Sequence, residues 1–398
     1  MNHPEIHLKK HEDKRLRQGH VWVFSNEVDT GRSPLDGFSP GQLVNVTAFD
    51  GKALGTAYIN PNTLICGRLL SRKSNLSCGS NFFKTRLSNA LQLREKLFDK
   101  PFYRLVFGES DGLPGLVIDR FGDILAVQIT TAGMELHKAF LLTALLELLT
   151  PTTIIFKNDN SQRELEGLST SSEVAYGELP AEVIIEENNA HYHIDILNGQ
   201  KTGWFFDHRN SRQQLARLAC NKRVLDLFCY TGAWGIPAAL NGATEVIGVD
   251  ASESALALAA TNARLNNVAE RMQFVRSDVF EYLKQARLNN QHYDIIILDP
   301  PALVKRKKDF KLGLEAYRRL NDLALQMLSP GGILVSASCS YHLTTENLHE
   351  LLRSSARHID RHLVFFNQSG QGPDHPIHPG VPESHYLKTF FCYVNPSL

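Results

Sequence analysis

Only six of the 398 residues are cysteine, at positions 66, 78, 220, 229, 339 and 392, with no C-x-x-C pair and no histidine at zinc-finger spacing. That scatter argues against a disulfide framework and against structural zinc, and no metal site is expected. No apolar run approaches the ~20 residues that a membrane span requires. The amino terminus, MNHPEIHLKKHEDKR, lacks the apolar core of a signal peptide, so the cytoplasm is the expected compartment. Low-complexity stretches are missing too, and 43% of residues are hydrophobic. Length and composition together suit a wholly globular chain of about two or three domains. Lys and Arg number 42 and Asp and Glu also 42, so net charge gives no support to nucleic-acid binding. Only the distribution of charge can speak to it.

A further absence is more telling. Residues 223–235, RVLDLFCYTGAWG, run an apolar strand into a glycine-bearing turn, and a second strand, VIGVD, closes on Asp250. Val224 to Phe228 does not alternate, as expected of a central parallel strand buried on both faces. Gly232 and Gly235 would let the backbone approach a ligand where a Cβ would collide. Asp250 stands where a carboxylate can hold the two ribose hydroxyls of an adenosyl cofactor. Yet Tyr230 occupies the first glycine position of the G-x-G-x-x-G pattern that cradles a pyrophosphate. A cofactor without phosphates is therefore expected, and S-adenosylmethionine is the obvious candidate.

The rest of the carboxy half repeats strand and helix. Tyr293 to Leu298 (YDIIIL) stops at Asp299-Pro300-Pro301, where two prolines force a turn and leave Asp299 at a sheet's carboxyl edge. Phe274-Val275 leads to Asp278. Leu328 to Gly332 reads as a turn before a strand Ile333–Ala337, which ends on Ser338-Cys339-Ser340. Helices are expected over 255–265, after a Ser252 cap, and over 312–328. The alternation predicts a doubly wound α/β sheet. The amino half differs in kind. Residues 42–60 alternate about Asp50-Gly51, a type I′ hairpin candidate within a small β-rich domain. Then come a helix from Phe83 to Phe98, a strand pair over 116–130, a helix over 135–149 and a strand over 153–156. The expected domains are thus 1–73, 74–190 and 191–398.

Several strings resemble bacterial 23S ribosomal RNA large-subunit methyltransferases that make 5-methylcytosine. These are GHVWVFSNEVD, GESDGLPGLVIDRFGD, GQKTGWFFDHRNSR, DLFCYTGAWG, GVDAS, LDPP, SASCS and DHPIHPGVPESHYLKTFF. The resemblance spans nearly the whole chain. It implies a small PUA-like β-barrel, a central α+β domain and a class I (Rossmann-like) methyltransferase sheet. It also implies an rRNA substrate and a homodimer. By it, Phe228, Gly232, Asp250, Asp278 and Asp299 line the cofactor, while Gln200, Lys201, Thr202 and Phe205 cover its methionine end. Asp226 has two readings, acceptor for the cofactor's α-ammonium or cap of the following helix. Phe280 reads equally as adenine contact or core aromatic. The β domain at 1–73 reads as an RNA-docking module or as a cap on the methyltransferase.

Cytosine carbon 5 cannot attack a methyl donor until a nucleophile adds to carbon 6, and a thiolate suits that role. Cys339, just past the fifth strand, is the expected nucleophile, and Asp299, just past the fourth, the partner for the base edge. A small buried packing residue is the alternative for Cys339. Cys229, inside the turn, would face the cofactor and is read as packing. No cysteine follows Asp299-Pro300-Pro301, so the base for elimination is unidentified. Ala302 stands where amine methyltransferases carry an aromatic, which argues against exocyclic-amine chemistry. Guanine ring-nitrogen methylation and a non-catalytic RNA-binding protein are the other readings. Lys305, Arg306, Lys307 and Lys308 follow directly and are expected to contact RNA phosphates, a solvated surface being the alternative.

Overall fold

The computed structural model describes residues 2–397. They divide into two compact units: 2–183 with 195–206 and 373–384, and 184–194 with 207–372 and 385–397. Among the described residues no helix is long and apolar enough to cross a membrane.

The first unit holds two five-stranded sheets. In one, Glu5–His7, Gln42–Thr47, Ala53–Ile59, Gly67–Ser71 and Trp22–Val23 lie side by side in that order. Alternation along its strands buries Val44, Val46, Ala57 and Ile59. The hairpin turn differs from the type I′ expectation. That turn needs positive φ at both central residues, and here Gly51 is left-handed (φ 83°) while Asp50 is not. Gly51 N donates to Ala48 O at 3.0 Å and Ala48 N to Lys52 O at 2.9 Å. The connection is instead a longer one, a β-turn closed by a glycine bulge. The other sheet orders Ser171–Gly177, Thr153–Asn158, Ile124–Ile129, Leu116–Phe121 and Phe102–Phe107, with helices Ser80–Leu97 and Lys138–Leu149 contributing to its core.

The boundary expected after residue 190 passes through strand Ala190–Ile194, which pairs with Val183–Glu187 as a hairpin. Segments 195–206 and 373–384, expected in the third domain, fold with the first unit. Polar partners within that unit explain why. Arg94, fully buried, donates to Asp111 (2.6 and 2.8 Å) and to Asp374 O (2.8 Å), and Asp374 Oδ2 accepts Arg104 N at 2.9 Å.

The second unit is built on seven strands: β1 (Arg223–Leu227), β2 (Glu245–Asp250), β3 (Met272–Arg276), β4 (Tyr293–Leu298), β5 (Leu328–Ser338), β6 (Arg361–Ser369) and β7 (Lys388–Pro396). Their order is β3-β2-β1-β4-β5-β7-β6. β1 to β5 are parallel, and β7 lies antiparallel between β5 and β6. Strand order reverses between β1 and β4, and in doubly wound sheets the ligand crevice lies at the carboxyl ends of that switch point. Leu227 pairs with Leu298 there, so Phe228 and Asp299 leave the sheet side by side. One expectation is corrected. Residues 328–332 do not precede the fifth strand but belong to it, as a bulge between Tyr293↔Leu328 and Ile295↔Ile333. Gly331 (φ 76°) accommodates the bend.

Candidate functional site

The turn after β1 is unusual in where it places left-handed backbone. Phe228 (φ 63°) and Tyr230 (φ 48°) are left-handed along with Gly232 (φ 84°). A non-glycine residue there costs roughly 1–3 kcal/mol, and such strain concentrates at ligand sites. The surroundings hold it: Cys229 N donates to Val249 O (3.1 Å), Tyr230 N to Asp250 Oδ2 (3.0 Å) and Gly232 N to Cys229 O (2.8 Å). Gly235 serves a different purpose from the one expected. A Cβ there would lie 2.9 Å from Val246 Cγ1 and 3.1 Å from Met272 Cε, so it lets the helix Gly235–Leu240 seat on the sheet. At Gly232 a Cβ would likewise meet protein, Ile236 at 3.0 Å. Cys229 is buried, with its sulfur 3.0 Å from where a Gly248 side chain would begin, and so packs on β2. Burial pushes its thiol well above the ordinary range.

Four carboxylates lie within a residue or two of the carboxyl ends of the parallel strands. Asp226 is fully buried, and its Oδ2 accepts Gly235 N at 3.0 Å, which is the helix-capping contact. Its Oδ1 has no hydrogen-bond partner. An orphaned buried oxygen calls for a ligand or a water, and a ligand ammonium would satisfy it. Burial first, then the Asp299 charge, pushes this carboxyl up to about 8. Asp250, half-buried, takes Tyr230 N on one oxygen and Ser252 N (2.9 Å) on the other. Asp278, exposed, caps the helix Val279–Leu288 through Phe280 N and Glu281 N. Phe280 is half-buried under the Arg319 guanidinium, 4.9 Å from its ring centre.

Asp299 receives Trp234 Nε1 at 2.9 Å and lies 3.1 Å from His208 Nε2. Burial alone would raise its pKa, but the His208 charge and the two hydrogen bonds outweigh it and hold the carboxyl below its usual range. It is an anion and an acceptor. Neither partner is among the residues singled out from sequence. Trp234 is visible inside the turn motif and His208 inside the GQKTGWFFDHRNSR string, but nothing local tells that the two rings meet at 5.2 Å.

Cys339 follows β5 and is half-buried. Its flanking serines are structural. Ser338 Oγ donates to Tyr317 OH (2.8 Å), Tyr317 OH shares a bond with Ser340 Oγ (3.1 Å), and Ser340 Oγ accepts Val304 N (3.1 Å). The network ties the Cys339 turn to the helix Phe310–Met327 and to the segment after Asp299-Pro300-Pro301. Leu298 and Ser336 are register partners, so Asp299 and Cys339 leave adjacent strands at one edge.

Beside this edge lies a groove of about 1060 Å³ whose walls include Lys307, Lys308, Phe310, Lys311 and Tyr341. Lys305 and Arg306 are exposed, and Arg306 pairs with Asp309 at 2.8 Å. The segment expected over the methionine end belongs to the first unit. There Thr202 is fully buried and donates to Asp119 Oδ2 (2.5 Å). Gln200 and Lys201 are exposed, and the Lys201 ammonium lies 4.4 Å from the Phe205 ring centre.

A switch-point crevice ringed by carboxylates, in a 3-2-1-4-5-7-6 sheet without a pyrophosphate turn, defines an adenosyl-cofactor enzyme. Comparison with known proteins gives the class. Residues 6–72 match the model of a PUA-like domain, and residues 167–387 match that of an S-adenosylmethionine-dependent methyltransferase. Solved structures agree on the fold. One is a SAM-dependent methyltransferase from Streptococcus mutans (TM-score 0.84, 24% identical, 98% of this chain and 100% of that one). Another is a methyltransferase in complex with SAH (TM-score 0.84, 24% identical, 99% and 100%). The chain is also similar to Ribosomal RNA large subunit methyltransferase I of Cronobacter sakazakii, 37% identical over 97% of this chain and 98% of that protein. The enzyme of that name from Erwinia tasmaniensis is 38% identical over the same shares, and that from Aliivibrio fischeri 36% over 98% and 99%. The chain belongs to the ribosomal RNA large subunit methyltransferase I family of S-adenosylmethionine-dependent methyltransferases.

Proposed function

We propose that the protein methylates carbon 5 of a cytosine in 23S ribosomal RNA, with Cys339 as nucleophile. The observation that carries this is the departure of Cys339 and Asp299 from adjacent parallel strands at one sheet edge. Bound S-adenosylmethionine would supply an electrophilic methyl group. Asp226 would meet its ammonium, Asp250 its ribose hydroxyls and Asp278 its adenine. The Cys339 thiolate adds to carbon 6 with its own electron pair, and the pair displaced from the carbon 5–carbon 6 double bond makes carbon 5 nucleophilic. Asp299, held as an anion by His208 and Trp234, accepts from the 4-amino group and cannot itself protonate the ring. After methyl transfer, loss of the carbon 5 proton breaks the sulfur–carbon bond and frees the thiolate. Ala302, in place of an aromatic, fits carbon rather than amine chemistry.

The relatives' names, which specify ribosomal RNA, support the substrate class. Lys307, Lys308 and Lys311 beside Phe310 and Tyr341 suit unpaired RNA, whose phosphates want cations and whose bases stack on aromatics. Lys305 and Arg306 extend that basic run.

The test is covalency. RNA with 5-fluorocytosine at the target should form an adduct that survives denaturing gels and requires S-adenosylmethionine, because fluorine cannot leave as a proton does. Cys339→Ala should abolish adduct and turnover, and Cys229→Ala should keep both if its turn still folds. Near-normal methylation by Cys339→Ala would instead favour guanine-nitrogen transfer, where the lone pair attacks directly. RNA binding without methyl transfer at any base would mark a non-catalytic protein.

A further inference from the structure

Lys388 is a buried lysine that the chemistry above does not use. It opens β7, and its register partner on β5 is Ser338, the residue before Cys339. Its ammonium nitrogen has two acceptors, Ser340 O at 2.6 Å and Leu343 O at 2.7 Å, both in the turn that carries Cys339. No carboxylate is among these partners. Two carbonyls satisfy the two N–H bonds of a neutral amine and leave its lone pair, or else the third N–H of an ammonium.

We propose that Lys388 accepts the proton of the Cys339 thiol and stays beside the thiolate as its counter-ion. This rests on the reading of Cys339 as nucleophile. In the step, the S–H bond breaks, its electron pair stays on sulfur, and the proton binds the Lys388 lone pair. The pair of ions is regenerated when the thiolate is later expelled from carbon 6, so Lys388 does not take the carbon 5 proton. Lys388 acts through Cys339 and is a positioning residue.

Burial pushes the Lys388 ammonium down to about 8, while the nearby Cys339 charge pulls it back up. The other titratable groups around the pair do not compete for this role. Tyr317, which faces the turn from the helix Phe310–Met327, is pushed by burial up to about 12 and stays neutral. Lys307, Lys308, Lys311, His342, Glu346 and His385 line the same groove as Lys388, but none of them is bonded to the Cys339 turn as Lys388 is through Ser340 O and Leu343 O.

The experiment is the pH dependence of alkylation by iodoacetamide in the full-length protein, read at each cysteine by peptide mass spectrometry. Exposed Cys220 serves as the internal reference. Cys339 should reach half-maximal reactivity about a pH unit or more below Cys220. Lys388→Met should move that midpoint up by a similar amount at unchanged melting temperature, and Lys388→Arg, which keeps a cation, should retain most of the low midpoint. If Lys388→Met fails to fold, the wild-type profile still decides. A Cys339 midpoint equal to that of Cys220 overturns the proposal, as does a folded Lys388→Met protein with an unshifted profile. A shifted profile together with normal methylation by Cys339→Ala would uphold the ion pair and sink the nucleophile reading, so the two failures are distinguishable.

Discussion

At the scale of single residues, Asp226 and Asp299 differ in charge state because their neighbours differ. Asp299 has two donors and is held ionised, whereas Asp226 has one donor, one bare oxygen and a nearby like charge. Its pKa of about 8 lies above the ordinary carboxylate value of ~3.9. Asp226 therefore favours the folded chain most at low pH and withdraws that contribution as pH rises toward about 8. A ligand ammonium reverses the preference by favouring the anion. S-adenosylmethionine binding near pH 7 should thus release a proton, and affinity should climb between pH 6 and 8. Calorimetry in phosphate and in Tris reads this directly: the apparent enthalpies should differ for wild type and coincide for Asp226→Asn. Equal wild-type enthalpies would put the ammonium elsewhere. Asp250→Asn should weaken cofactor binding by about 1.5–3 kcal/mol, the range for a hydrogen bond to a charged group. Unchanged affinity on titration would move the ribose site off β2. Strand ends carrying acids were legible in sequence, because a run of apolar residues stopping at Asp marks a sheet edge. Their charge states were not, since these depend on His208, Trp234 and burial.

At the scale of elements, Gly235 was read as leaving room for a ligand, whereas its missing Cβ leaves room for protein atoms. A sequence shows that a Cβ is missing, not what fills its place. Gly235 faces Val246 and Met272 across a helix–sheet contact. Gly235→Ala should therefore destabilise the apo protein by about 1–3 kcal/mol, as overpacking does, and lower its melting temperature. Loss of cofactor affinity with no change in melting would restore the ligand-approach reading. The same limit appears at 328–332, where Pro-Gly-Gly reads as a turn. The chain instead holds those residues as a bulge in β5, between the pairs Leu328↔Tyr293 and Ile333↔Ile295 with β4, and β7 joins β5 from Gly332 onward, opposite Val394. A partner from residues 388–396 is invisible to any local window. Helices 253–265 and 310–327 lie close to expectation, Ser252 capping the first through Ala255 N at 3.3 Å.

At the scale of the whole molecule, zero net charge conceals a local excess. Seven Lys or Arg stand against two acids over 301–320, and Lys307, Lys308 and Lys311 among them line the groove near the end of β5. Neutralising Lys305, Arg306, Lys307 and Lys308 together should weaken RNA binding and flatten its salt dependence by up to ~0.7–0.9 units for each phosphate that is no longer neutralised. Cofactor affinity should not change, and an unaltered slope would return the cluster to plain surface. Domain boundaries were less legible than charge, because the chain passes between its two units after residues 183, 194, 206, 372 and 384. Reading along the sequence treats domains as continuous spans, so a strap at 373–384 falls to the wrong one. That strap supplies buried partners: Asp374 Oδ2 for Arg104 N and Asp374 O for Arg94. Leaving such a group unpaired costs about 1–3 kcal/mol, and more where it is charged. A fragment ending at residue 190 lacks the strap and leaves both arginines short of an acceptor. It should unfold without a sharp transition and be rapidly cut by protease, and Asp374→Ala in the full chain should lower the melting temperature. A fragment that melts as sharply as the whole protein would mean that residues 2–183 are complete without the strap, and that the strap adds little to their stability.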